Sequence, residues 1–310
     1  MIFDRSTACS SGIVKLDDPA DAQTIVGAED VNLKANAVDY VRAASVADAI
    51  ALLERHGDGA KLIAGGQSLL PALNLRLSAP AILIDIARLT ELGGVSPVPG
   101  GLRIGAGCTH AQLLADPLVA AHAPLIGRAL ADVAHPAIRS RGTIGGSLAN
   151  ADPAAELPAC ALALGASILV RGKEGERRVA ADRFFTGLFE TALAPGEVLV
   201  GLEVPLAPGA QWGFSELARR SGDYAMVGLA AQRTGGDTRL AFFSVGATAV
   251  LARGAAAALA PGVTAATIEA ACHQLEADLP SHADLQASAA TRLHLARVLL
   301  RRVVGAWVAA

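Results

Sequence analysis

Two short segments combine adjacent glycines with hydroxyl and amide side chains. AGGQSLLP spans residues 64–71, and TIGGSLAN spans residues 143–150. Because glycine has no Cβ, the backbone N–H groups of such a segment can approach an anion closely. Successive N–H groups can form an anion-binding concavity, to which Ser68, Thr143 and Ser147 could add hydroxyl donors. Two such loops that meet in space would suit a pyrophosphate; the structural alternative is a pair of tight turns.

Acidic residues follow the second glycine segment, in NADPAAE. Asp152 and Glu156 could perform acid–base chemistry, or hydrogen-bond to ribose hydroxyls or a flavin ring. They could also cap the helix that follows, with Asp152 at its start. A second polar group lies in ELARRSGDYAMVG at 216–228, where a salt-bridged strand and turn competes with a polar edge that faces a cofactor or partner.

Standard motifs of other enzyme classes are incomplete. The chain has no G-x-x-x-x-G-K-[ST] segment, and GAGCTH at 105–110 places His110 where a dinucleotide fingerprint has its third glycine. GGSLA around Ser147 nearly matches a nucleophile elbow, but Ala149 replaces the last glycine. The Asp182 and His273 that a triad would need have nothing in their surroundings to mark them.

Composition excludes several classes of protein. The 310 residues fit two domains, with 52% hydrophobic residues for their cores. A net charge of −3, from 29 acids and 26 bases, indicates no nucleic-acid partner and no anionic membrane. No stretch reaches the roughly 18 apolar residues of a membrane span. The first residues lack the apolar core of a secretory signal, so we expect a cytoplasmic protein.

The cysteines and histidines lack the spacing of metal ligands. Four cysteines lie far apart without a C-x-x-C pair, and no two histidines have metal-site spacing. We therefore expect the cysteines to be buried apolar residues, with no iron–sulfur cluster or zinc on this chain.

The hydrophobic pattern predicts an α+β protein. Residues 1–33 are polar and aperiodic, and we interpret them as a loosely ordered extension. A helix is predicted from Ser45 to Gly57. Strands are predicted at 81–86, 102–107, 167–172 and 197–206, a boundary at 205–211, and strands at 212–219, 225–233 and 239–250. Two helices, near 264–277 and 288–308, end the chain; the second places five apolar residues near one face: Leu293, Ala296, Leu300, Val303 and Trp307. Strands and helices mix without regular alternation.

Seven segments together resemble one family, the FAD-binding (medium) subunits of molybdenum hydroxylases of the carbon monoxide dehydrogenase and xanthine dehydrogenase type. They occur in family order between about residues 36 and 307. The segments are VDYVRAASVADAIALL, AGGQSLLPALNLRL, ILIDIARL, LRIGAGCTH, VAHPAIRSRGTIGGSLANADPAAELPA, FFTGLFETALAPGEVL and ARRSGDYAMVG. The extension, and Thr291 where the family often has tyrosine, depart from the pattern.

The resemblance implies a fold and a set of cofactor contacts. It implies a vanillyl-alcohol-oxidase-like (PCMH-type) FAD-binding domain in two subdomains at 34–206, and a small C-terminal α+β domain with an antiparallel sheet at 211–310. FAD would lie extended between the subdomains, with its pyrophosphate on the two glycine loops. The implied contacts are Ala64, Gly65, Gly66, Gln67, Ser68, Leu69, Ala106, Thr143, Gly145, Gly146, Ser147, Glu156 and Leu199. Within this set, Ala106 would lie near the adenosine half, Glu156 at ribitol or ribose hydroxyls, and Leu199 on the flavin ring.

The resemblance also implies an electron relay. A large subunit would oxidise substrate at molybdopterin-bound molybdenum, and a small subunit would pass the electrons through two [2Fe–2S] clusters to FAD on this chain. The assembly would be a dimer of heterotrimers, and we expect no catalytic acid, base or nucleophile here. A free-standing flavin oxidase or reductase, and a non-enzymatic FAD scaffold, remain alternatives.

Overall fold

The computed structural model describes residues 35–280 and 282–308. The predicted extension at 1–33 lies outside these residues. The strands are β1 (Asp39–Arg42), β2 (Ala60–Ile63), β3 (Ile82–Asp85), β4 (Val95–Val98), β5 (Gly101–Gly105), β6 (Ser167–Gly172), β7 (Gly175–Ala180), β8 (Phe185–Gly187), β9 (Glu190–Thr191), β10 (Val198–Pro205), β11 (Gln211–Leu217), β12 (Val227–Thr234), β13 (Asp237–Phe243) and β14 (Val250–Leu251). The α-helices are α1 (Val46–His56), α2 (Leu69–Asn74), α3 (His110–Ala115), α4 (Pro117–His122), α5 (Pro124–Asp132), α6 (Pro136–Arg139), α7 (Ile144–Asn150), α8 (Glu156–Ala163), α9 (Ala181–Phe184), α10 (Arg253–Ala258), α11 (Ala265–Asp278) and α12 (Ala289–Gly305).

The first sheet is parallel and has the order β1-β3-β2. Helix α1 connects β1 to β2, and both of its ends confirm the prediction. The Ser45 side chain accepts a hydrogen bond from the Asp48 N–H, and Gly57 ends the helix at φ 53°. These caps satisfy backbone groups that a helix leaves open at its ends. The sheet therefore delivers the first glycine loop directly after β2.

The second sheet is antiparallel and has the order β4-β5-β10-β6-β7. Its central strand, β10, is buried along most of its length, as expected for a strand with a neighbour on each side. The pairing of β10 with β6 shifts register between Leu199 and Gly201. Such a bulge re-aims side chains locally.

The third sheet, β11-β12-β13-β14, is antiparallel and packs against the C-terminal helices. The predicted apolar face of the last helix is confirmed, since Ala296, Leu300, Val303 and Trp307 are buried in one cluster and Leu293 packs against it. The observed mixture of parallel and antiparallel sheets with helices confirms the α+β class.

Helix α8 lies between the second and third sheets' parts of the chain. All residues from Leu157 to Ala163 are buried, and the helix packs against α5 on one side and against β12 and β13 on another. The Arg239 guanidinium donates a 2.9 Å hydrogen bond to the Leu162 carbonyl oxygen. One hydrophobic core therefore runs across the predicted domain boundary.

Two predictions about the C-terminal part were wrong. The predicted strand 239–250 ends at Phe243, because Ser244 takes a left-handed conformation at φ 59° and its N–H donates to Pro153 O at 2.8 Å. Helix α10 was not predicted. Its sequence, RGAAAA, carries no apolar periodicity, and its first free N–H groups bond to Asp278 from the next helix.

Candidate cofactor-binding site

The two glycine loops are in direct contact. A Cβ on Gly65 would lie 2.1 Å from the Arg141 carbonyl oxygen and 2.9 Å from Gly142 Cα. Only glycine allows this approach of two backbones. Gly66 has φ 72°, a left-handed conformation that turns the chain from β2 into α2. The sequence therefore predicted correctly that the loops could meet, and the structure shows which glycine permits it.

The first loop presents free backbone donors. Within the described residues, the N–H groups from Gly66 to Leu69 make no hydrogen bond to protein. They precede or open helix α2, where Ser68 is the exposed N-cap residue and its side chain bonds to no helix N–H. The Gln67 amide donates to Gly65 O at 2.9 Å and so braces the loop. A row of free N–H groups with glycine beside it is a fitting cradle for an anionic oxygen cluster.

The second loop uses its donors internally. Ile144 N donates to Cys108 O at 3.0 Å, Gly145 N to Ala106 O at 2.9 Å, and Ser147 N to Thr143 O at 3.0 Å. The Thr143 hydroxyl accepts from Gly146 N at 3.0 Å and caps helix α7. The two loops therefore differ in chemistry, a difference that their similar sequences do not reveal.

Gly145 and Ala106 join the second loop to the central sheet. A Cβ on Gly145 would lie 2.5 Å from the Ala106 Cβ, so glycine is required for packing at this position. Ala106 also donates through its N–H to Val200 O at 3.1 Å, next to Leu199. The structure therefore brings Ala106 and Leu199 to the second loop. Leu199 is 5% exposed, so little of its side chain is open to a ligand in this conformation.

Glu156 lies at the far end of helix α7 from the glycine loop. It begins helix α8, separated from Thr143 by the seven residues of α7, or about 10 Å at 1.5 Å per residue. Burial raises the pKa of Glu156 to about 8, and the negative charges of Glu216, Asp152 and Asp132 contribute. The pKa of Glu216 is likewise raised by burial to about 7. At neutral pH the Glu156 carboxyl is therefore mostly protonated and can donate a hydrogen bond.

The remaining predicted contacts lie on the two loops. Ala64 and Gln67 are half-buried, and Leu69 is the first residue of α2. Gly146 and Ser147 are also half-buried, at the start of α7. A Cβ on Gly146 would meet only the Thr143 hydroxyl, at 2.9 Å. Gly146 and Ser147 therefore form the accessible side of the second loop, and Gly145 its buried side.

Sequence reasoning missed two residues next to the second loop. His110 is 6% exposed, neither of its ring nitrogens has a hydrogen-bond partner within the described part of the chain, and a Cβ on Gly142 would lie 3.2 Å from the ring. Burial lowers the pKa of His110 to about 4, so the ring is neutral. Arg141 supplies the carbonyl that contacts Gly65. The sequence signal for His110 was present, but it served only to reject a fingerprint.

The competing interpretations of the acids and of Ser147 are not supported. Asp152 does not cap α8, since that helix begins at Glu156 after Ala155; its carboxylate accepts from Ala154 N at 2.9 Å instead. Asp182 pairs with Arg253 at 3.4 Å, and no hydrogen bond links it to Ser147 in the described regions.

Two searches over the described residues complete the description of the site. Cys108, Cys160 and Cys272 are buried and free, as predicted, while Cys9 lies outside the described residues. Across 35–280 and 282–308, no group of histidine, cysteine and acidic side chains could hold a metal ion. Over the same ranges, no helix is both long and apolar enough to cross a membrane.

Comparison with known families identifies the chain. Residues 33–207 match the FAD binding domain in molybdopterin dehydrogenase, and residues 212–306 match the CO dehydrogenase flavoprotein C-terminal domain. The chain belongs to the family of FAD-binding subunits of molybdopterin dehydrogenases. The family resemblance seen in the sequence is thereby confirmed, as is its assignment as an FAD-binding oxidoreductase subunit.

Several characterised relatives and solved structures are similar over most of the chain. The medium chain of carbon monoxide dehydrogenase from Hydrogenophaga pseudoflava is 40% identical over 222 residues, 70% of this chain and 77% of its own. The xanthine dehydrogenase FAD-binding subunit of Escherichia coli is 32% identical, covering 87% and 96%. A solved Hydrogenophaga pseudoflava carbon monoxide dehydrogenase chain superposes with a TM-score of 0.84 at 37% identity, covering 87% of this chain and 96% of that one. Quinoline 2-oxidoreductase from Pseudomonas putida 86 gives 0.82 at 39% identity, covering 87% and 96%.

Proposed function

We propose that this chain is the FAD-carrying electron-transfer subunit of a heterotrimeric molybdenum hydroxylase. It would receive electrons from the [2Fe–2S] clusters of a small subunit and pass them to an external acceptor. A large molybdopterin subunit would oxidise the substrate. The printed names of relatives support this assembly, since one is a medium chain and another is subunit alpha of the 6-hydroxypseudooxynicotine dehydrogenase complex from Paenarthrobacter nicotinovorans, at 44% identity over 199 residues.

The observation that carries this proposal is the row of free N–H groups from Gly66 to Leu69, held against the second glycine loop. A pyrophosphate has several anionic oxygens and suits such a row. We assign the pyrophosphate contacts to Ala64 through Leu69 and to the accessible side of the second loop, Gly146 and Ser147. Thr143 and Gly145 would act by shaping that loop, since their hydrogen bonds and packing are internal.

The flavin half would extend toward Glu156. The separation of about 10 Å between the ends of α7 suits an extended dinucleotide better than a single phosphate. A protonated Glu156 would donate a hydrogen bond to a hydroxyl or carbonyl oxygen of the cofactor, Leu199 would border the ring, and Ala106 would lie toward the adenosine half. When bound, FAD supplies the redox chemistry, and the chain binds and orients it.

We further propose the PCMH-type, vanillyl-alcohol-oxidase-like description for residues 34–206, with the parallel and antiparallel sheets as its two subdomains, and a separate C-terminal domain at 211–310. A cytoplasmic dimer of heterotrimers is the assembly we propose. The similarity to xanthine dehydrogenase and carbon monoxide dehydrogenase subunits supports it.

The test is a tagged purification from the native host, with an absorbance spectrum and metal analysis. Two co-purifying chains with FAD, iron and molybdenum are the expected result. A lone yellow protein that turns over a substrate would overturn the relay role and indicate a free-standing flavin enzyme. A colourless protein that takes up no FAD would overturn the cofactor assignment.

A further inference from the structure

Arg292 is a buried cation at the start of helix α12. Its residue is 4% exposed, and its guanidinium makes three interactions. Nη1 donates to the carbonyl oxygens of Met226 and Ser244, the latter at 2.5 Å, and Nη2 pairs with Asp284 at 2.5 Å. Burying an arginine is costly unless its donors are satisfied. The residue therefore holds three separate segments at one point.

Two of these segments lead directly to the acidic end of the proposed FAD site. Tyr224 lies two residues before Met226, and its hydroxyl interacts with the Asp152 carboxylate. Ser244 donates through its N–H to Pro153 O at 2.8 Å. Both paths from Arg292 thus end in the segment between α7 and Glu156.

Packing alone does not fix Tyr224. The side chain is 62% exposed, and together with Asp152, Ser244 and Arg292 it borders a cavity of about 300 Å³. A side chain with solvent on one side and a cavity on another has few neighbours to hold it. Its position depends on the backbone that carries it. That backbone is held at Met226 by Arg292 and at Gly222, where a Cβ would lie 2.7 Å from the His135 ring.

We propose that Arg292 is a positioning residue for the FAD site: by fixing Met226 and Ser244 it sets the place of Tyr224 and of the segment from Asp152 to Glu156. The inference rests on the proposed function, because it assigns FAD to that segment. Helix α12 lies more than a hundred residues further along the chain, yet through Arg292 it controls cofactor affinity.

The first test is a double-mutant cycle on the full-length chain. FAD dissociation constants are measured by titrating apo-protein for Arg292→Met, Tyr224→Phe and the double variant. We expect Arg292→Met to weaken FAD binding roughly tenfold, and the double variant to bind no worse than Arg292→Met alone, because coupled residues are not additive. Arg301→Met is the matched control, since Arg301 forms a surface ion pair with Glu269 at 2.7 Å on the same helix; it should leave FAD affinity unchanged.

Additive losses, or wild-type affinity in Arg292→Met, would overturn the positioning role. If Arg292→Met does not fold, Asp284→Asn keeps the arginine and removes only its counter-ion. It should show a smaller loss with the same non-additivity toward Tyr224→Phe, and an additive loss would refute the role equally.

The second test needs no FAD. The chain has two tyrosines, so in a Tyr40→Phe background tyrosinate absorbance reports Tyr224 alone. Burial raises the pKa of Tyr224, and the charges of Asp152 and Glu156 add to this. Arg292→Met should lower this pKa toward the usual value, and an unchanged titration would refute the positioning role. A wild-type chain that binds no FAD would refute the proposed function instead, while the titration would still report on Tyr224.

Discussion

Gly65 stands where the backbones of the two glycine loops touch, and its substitution separates packing from general effects on the chain. We expect Gly65→Ala to lose FAD binding and to lower the free energy of unfolding by about 1–3 kcal/mol, because the new Cβ would lie 2.1 Å from Arg141 O. Gly127→Ala is the control: nothing lies within 4 Å of its Cβ position in helix α5. Flavin absorbance and urea unfolding of both variants check the prediction. Full FAD content in Gly65→Ala would contradict it.

Gly146 tests the accessible side of the second loop. We expect Gly146→Asp to abolish FAD binding, since a carboxylate there would crowd and repel a pyrophosphate. Gly146→Ala is the matched variant, and it should retain part of the affinity because its Cβ meets only the Thr143 hydroxyl, at 2.9 Å. The flavin absorbance of the two purified proteins decides between charge and size. Equal flavin loss in both would contradict the electrostatic explanation.

Glu156 makes stability depend on pH. Its pKa is raised from 4.5 to about 8 in the folded chain, so its contribution is fully present below pH 4.5 and is lost as pH rises through 8. We expect Glu156→Gln to gain stability relative to the wild type as pH increases from 5 to 9 in the apo-protein. Glu174→Gln, in an exposed turn, is the control. Melting temperatures at several pH values measure the difference, and parallel curves for Glu156→Gln and wild type would refute the assignment.

At the scale of elements, helix α10 depends on a residue from its neighbour. Asp278, at the end of α11, accepts from Gly254 N at 2.9 Å and Ala255 N at 2.7 Å, while Ala252 offers no side-chain cap. We expect Asp278→Ala to lower the free energy of unfolding by about 1–3 kcal/mol, and Asp278→Asn to lower it less. Chemical denaturation of the two variants checks the ranking. Equal losses would show that charge and hydrogen bonding are not the cause.

The same examples show what could be predicted from sequence. Helix α1 was predictable to its ends because Ser45 and Gly57 act locally. Helix α10 and the end of β13 were not, since Asp278 and Pro153 decide them from distant positions. The glycine loops were recognisable as a pair, but their chemical difference depends on the carbonyls of Ala106 and Cys108, which only the fold brings near.

For the whole molecule, the shared core predicts that the proposed FAD domain is not stable alone. A chain ending at residue 206 would leave uncovered the side of α8 that packs against β12 and β13, and exposed apolar surface of this kind leads to association. We expect that chain to aggregate in size-exclusion chromatography. Co-expression of residues 211–308 as a second chain should restore a soluble folded protein. A monomeric, cooperatively unfolding short chain would contradict this view.

The position of α8 also has a consequence for biosynthesis. Its residues leave the ribosome well before those of β12 and β13, and Phe243 follows Ala163 by about eighty residues. At about 5–20 residues per second, an apolar helix waits for several seconds without the surface it needs. Chaperones that bind nascent chains should therefore engage residues 157–163 during this interval, and slower translation between 164 and 243 would lengthen the time in which the unfinished chain can aggregate.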